Sequence, residues 1–180
     1  MTKPKAILAT TSKEIRRHAE AARGQSDRDI ILAPVDFSEH SEAALVQAAA
    51  FAEMMPATLI VLHVVHDPGE MPGYYSKLIK KKKVARIQDI AAEAFDGFMD
   101  RVIAENPGLE CLRSADRLMV TGLPVTRILE LVKYLDPIMV VMGSQGRTGL
   151  KHLVIGSKAA QIVQLCPVPV TIVKKQDGDD

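Results

Sequence analysis

The chain alternates short continuous apolar runs with longer stretches in which apolar residues recur every three or four positions. Residues 29–35 (DIILAPV), 58–66 (TLIVLHVVH) and 138–142 (IMVVM) are the runs. Unbroken apolar character at strand length is what a parallel sheet covered on both faces requires. Residues 39–55 place Ala44, Leu45, Ala48, Ala49, Ala52 and Met55 on one helical face. Residues 77–105 do the same with Val84, Ile87, Ala91, Ala94, Phe95, Phe98 and Val102. Further helices are predicted over residues 124–135 and 157–165. Residues 109–120 hold a less cleanly patterned strand, and residues 168–174 a short final one. Strands alternating with helices imply a parallel α/β sheet with right-handed crossovers.

Local signals sharpen these boundaries. Ser38 is a good N-cap, with Glu39 in the first turn where negative charge is favoured. Pro56 stops that helix, and Asn106-Pro107-Gly108 stops the next. Pro124 opens a helix at the position where its missing N–H costs nothing. Thr11 or Ser12 can cap a short helix over residues 13–22. Pro169, inside the last apolar run, argues for an edge strand. Its β-branched neighbours need covering, which a second subunit can provide.

Candidate chemistry concentrates in residues 140–160, VVMGSQGRTGLKHLVIGSKAA. A buried strand breaks at Gly143; Gly146, then Gly156 and Ser157 follow, and a helix begins. Glycines let backbone N–H groups approach an anion, and a helix N-terminus aims its donors and its positive dipole end at the same place. Arg147, Lys151 and Lys158 add positive charge. The spacing fits neither G-x-x-x-x-G-K-[ST] nor G-x-G-x-x-G. Asp36 ends the first apolar run, where open parallel sheets bind ligands. It reads equally as a ligand group or as a local turn carboxylate. His63, inside an apolar run, reads as a hydrogen-bonded core histidine. Lys80–Lys83 form a charged run that reads as a solvated face or as charge meeting phosphates or an acidic partner.

At 180 residues, one domain is expected. A net charge of +1 speaks against a nucleic-acid-coating protein, and no apolar run reaches the length of a membrane span. Cys111 and Cys166 make no disulfide framework and no metal motif, which fits a reducing, cytoplasmic setting. No apolar segment near the start resembles a secretory signal. Residues 1–28 stand apart: Lys3, Lys5, Lys13, Arg16, Arg17, Arg23 and Arg28 outnumber Glu14, Glu20 and Asp27. They read as a mobile or loosely docked basic extension, with a docking arm for a partner as the sharper alternative. Residues 29–175 form the domain and residues 176–180 a polar tail.

Four segments together resemble the universal stress protein family, in its ATP-binding subgroup. They are LAPVDFSEHS (32–41), LIVLHVV (59–65), VTGLPVTRIL (120–129) and MGSQGRTGLKHLVIGS (142–157). The resemblance implies an open five-stranded parallel sheet of order 3-2-1-4-5, Rossmann-like, with helices on both faces. It implies a homodimer joined through the last strand. It also implies ATP or AMP as ligand, with Mg2+ accompanying the phosphates. Carried onto this chain, Pro34, Val35 and Asp36 lie near adenine and ribose, and Val64 meets the adenine through its backbone. Met142, Gly143, Gly146, Arg147, Gly156, Ser157 and Lys158 hold ribose and phosphates. Three functions follow: a nucleotide-sensing module in stress response, a slow ATP hydrolase with His152 as its base, or a dimeric scaffold whose nucleotide is only structural. The module is the expectation, since no carboxylate–histidine pair for activating water is evident in the sequence.

Overall fold

A computed structural model describes residues 7–25, 29–66, 81–146 and 155–175. The elements in chain order are β1 (Ile7–Ala9), α1 (Ser12–Gln25), β2 (Ile30–Val35), α2 (Glu39–Met54) and β3 (Thr58–Val65). They continue with α3 (Lys81–Glu105), α4 (Cys111–Ser114), β4 (Asp116–Thr121), α5 (Pro124–Leu135), β5 (Met139–Gly143), α6 (Ser157–Leu165) and β6 (Val170–Val173). All strand pairings are parallel, in the order β1-β4-β3-β2-β5-β6.

The five expected strands take the expected order, but the sheet has six. The sixth comes from the basic extension: β1 pairs with β4 in the register Ile7↔Leu118, Leu8↔Met119, Ala9↔Val120. The helix expected over residues 13–22 is α1, and it is docked. Ile15 and Ala19 are buried in the cluster that holds Leu131 and Leu135 of α5. Its start is fixed by a reciprocal cap, in which Glu14 N–H donates to Thr11 Oγ1 and Thr11 N–H donates to Glu14 Oε2.

Each central strand feeds two cores. Ile31, Ala33 and Val35 of β2 face α2 and α3 with Leu45, Phe95 and Met99. Ile30 and Leu32 face the opposite layer with Ile15, Ile128 and Ile162 from α1, α5 and α6. Two expectations are revised in detail, and a third falls partly outside the described residues. The strand expected from residue 109 begins at Asp116, after the short turn of α4. Pro169 lies just before β6, where its carbonyl accepts from Val140 N–H at 2.9 Å, so the ring interrupts no ladder. The long helix is described from Lys81; the Lys80–Lys83 side chains fall outside what is described.

Candidate functional site

The neighbouring strands β2 and β5 send their chains to opposite faces: β2 to α2 on one side, β5 to α6 on the other. A crevice opens where such connections diverge. A cavity of about 570 Å³ lies there, within the size range of small-molecule sites. Leu62, Val64, Ile128, Met142 and Ala159 line it and belong to one packed cluster, so this wall is continuous and apolar. Asp36, His66, Ser144, Gln145, Ser157 and Lys158 supply its polar groups.

Asp36 is set by a hydrogen-bonded turn at the start of α2. Its Oδ1 accepts the Ser38 hydroxyl at 2.6 Å and the Ser38 N–H at 3.2 Å. Ser38 Oγ in turn accepts Ser41 N–H, which is its N-cap bond. The Ser41 hydroxyl donates to Ser38 O, and Asp36 N–H donates to Ser41 Oγ at 3.4 Å. One Asp36 carboxylate oxygen organises the turn, as the local reading expects, and the residue also lines the cavity. His63 donates Nδ1–H to Val35 O at 2.9 Å, as a core histidine should. It also lines the cavity, which the sequence did not suggest.

The glycines answer steric demands more than conformational ones. A Cβ at Gly143 would lie 2.8 Å from His40 C and 2.9 Å from Ser41 N, so glycine here lets the start of α2 close onto β5. At Gly146 a Cβ would come 2.6 Å from Asp36 Oδ2. Two amides of the expected cradle are already engaged: Ser144 N–H with Val173 O, and Gly156 N–H with Ser144 O. Among the described residues, the first turn of α6 offers further amides. Gly156 is its N-cap and provides no side-chain cap, so the amides after it lack intrahelical acceptors and open toward the cavity beside Lys158.

Neighbouring contacts hold this frame. Ser144 Oγ lies 3.4 Å from His40 Nδ1, which also accepts Lys175 N–H at 3.1 Å, tying α2 to the end of β6. Lys175 Nζ bonds Glu39 at 2.7 Å and holds that carboxyl below its ordinary value. On the far wall, Arg127 donates Nε to Thr121 O and Nη1 to Glu130 and to Ser12 Oγ, so α1 braces the helix that carries Pro124 and Ile128.

Of the residues singled out in the sequence, Pro34, Val35, Asp36, Val64, Met142, Gly143, Gly146, Gly156, Ser157 and Lys158 all line the cavity. Arg147, Lys151 and His152 lie outside the described residues. Sequence reasoning missed Leu62, His66 and Ile128, whose apolar or strand-end positions carry no chemical signal of their own. It also missed Ser144 and Gln145, which sit inside the glycine stretch and were legible there.

The profile of the universal stress protein family matches residues 27–174. A universal stress protein of Methanocaldococcus jannaschii is 24% identical over 164 residues, covering 82% of this chain and 96% of its own length. The solved universal stress protein of Lactobacillus plantarum has a TM-score of 0.66 at 22% identity, with 82% of this chain and 99% of that one covered. A universal stress protein solved in complex with cAMP has a TM-score of 0.53 at 19% identity, with 83% and 98% covered. At these identities the solved structures share the fold.

Proposed function

The chain belongs to the universal stress protein family, and from that premise we propose that its switch-point cavity binds an adenine nucleotide, ATP or AMP. The observation that carries this reading is one cavity combining an apolar wall, a placed carboxylate and a helix N-terminus whose N-cap is a glycine. The wall of Leu62, Val64, Ile128 and Met142 suits a flat base. Asp36 is an acceptor for ribose hydroxyls. The first turn of α6 with Lys158 suits phosphate, and Gly146 and Gly156 keep side-chain bulk out of the approach. A relative of the same fold is a complex with cAMP, which agrees with a nucleotide of this class. Among the described residues no cluster of His, Cys, Asp and Glu could hold a metal by itself, so Mg2+ is expected only as a companion of the phosphates.

The protein then acts as a nucleotide-responsive stress module in the cytoplasm, a homodimer through β6 that changes partner or shape with its ligand. The decisive experiment is to purify the protein, denature it and identify any released nucleotide by mass, followed by calorimetry with ATP and AMP. Binding of neither rejects the reading. Multiple-turnover phosphate release would place the protein with the slow hydrolases instead.

A further inference from the structure

The residue after Asp36 has a backbone conformation that its side chain does not favour. Phe37 has φ 65°, in the left-handed region. Glycine adopts that region freely, and a bulky residue does so only when its surroundings over-determine it. The surroundings here are specific. The Phe37 ring stacks on His63 with centroids 4.1 Å apart and planes 22° apart. It also leans on Phe98 at 5.3 Å and Phe95 at 5.9 Å. His63 is itself anchored, because its Nδ1–H donates to Val35 O; a carbonyl only accepts, so this bond fixes the tautomer. One imidazole thus grips the residues on both sides of Asp36: Val35 through its carbonyl and Phe37 through its ring. Ser38 closes the third side by holding Oδ1. Asp36 Oδ2 lies on the Gly146 side, where even a methyl group would collide with it.

We propose that the Phe37–His63 stack is a positioning element of the site, which holds the chain at Phe37 left-handed and so aims the Asp36 carboxylate into the cavity. Phe37 acts through Asp36 and needs no contact with the ligand. The proposal rests on the nucleotide-binding reading above for its affinity readout, but not for its structural one.

Three variants and one background test it, with ATP titrated by calorimetry. Phe37→Gly removes the ring and the strain together, so the fold survives, but glycine is as free to leave the left-handed region as to adopt it, and affinity falls roughly ten-fold as Asp36 loses its aim. Phe37→Tyr keeps the stacking face and restores affinity to within about two-fold of wild type. In an Asp36→Ala background, Phe37→Gly has no further effect beyond about two-fold, because the residue it positions is gone. Should Phe37→Gly not fold, Phe37→Leu takes its place with the same expectations. Wild-type affinity in Phe37→Gly, or an undiminished loss in the Asp36→Ala background, overturns the proposal. If the wild-type protein does not bind ATP, the nucleotide reading fails, and amide exchange at Ser38 decides the positioning claim alone. Exchange roughly ten-fold faster in Phe37→Gly than in Phe37→Tyr supports it, and equal exchange overturns it.

Discussion

At the scale of single residues, the site turns on how little room surrounds Asp36. A hydrogen bond to a charged group is worth about 1.5–3 kcal/mol, so Asp36→Ala should weaken ATP binding by roughly ten- to a hundred-fold in calorimetry. Gly146→Ala tests the same carboxylate from across the crevice. Gly146 has no positive φ, so the change brings no backbone strain, and among the described residues its Cβ meets the Asp36 carboxylate, nearest at Oδ2. Because Ser38 holds the other oxygen, the carboxylate must rotate off its turn. Affinity should fall several-fold while the thermal midpoint stays near wild type. Gly143→Ala should do the reverse. Its Cβ meets the His40 and Ser41 backbone, which cannot swing aside, and overpacking of this kind costs about 1–3 kcal/mol in a denaturant titration. The glycine spacing was legible in the sequence as a signal of this site. Which glycine serves the ligand and which serves a helix was not, since that depends on neighbours more than a hundred positions away.

At the scale of elements, α1 carries two predictions. Ile15 is fully buried, so Ile15→Ala should cost about 2–5 kcal/mol, read from a denaturant midpoint. The cap of α1 is pH-dependent. The Thr10 N–H and hydroxyl, with Thr11 N–H behind them, hold the Glu14 carboxyl down from its ordinary 4.5 to about 2. A carboxyl depressed in the folded state contributes its stability above the unfolded value and loses it as pH falls through the folded one. Protection of the Thr10 and Thr11 amides, relative to their intrinsic exchange at each pH, should therefore fall between about pH 4.5 and about 2, and Glu14→Gln should abolish that dependence. Strands β2, β3 and β5 were plain in the sequence because both of their faces are apolar. β4 was blurred by Arg117, a charged residue that is nonetheless buried and bonded to Asp96 of α3 at 3.0 Å. β1 was invisible: three residues have no period to read, and nothing local says that β4 awaits them.

At the scale of the whole molecule, the sheet ends in β1 on one side and β6 on the other. Among the described strands β6 is paired along one side only, and its four residues are all half-buried. Two-fold pairing through that edge predicts a dimer at micromolar concentration by light scattering, shifted toward monomer by Val170→Lys with the nucleotide site retained. A monomeric wild type would remove β6 as an interface. The opposite edge bears on the order of assembly. β1 is made roughly 110 positions before the strand it pairs with, and closing a loop of that size yields nothing until β4 has itself been placed against β3. The segment synthesised earliest among the described elements thus waits for a strand made more than a hundred positions later. Deleting residues 1–25 should leave the refolding rate of the remaining sheet within about two-fold and mainly speed unfolding. Until α5 follows β4, the basic α1 lacks the Leu131 and Leu135 surface against which Ile15 and Ala19 pack, and a nascent chain should carry it as a loose charged tether.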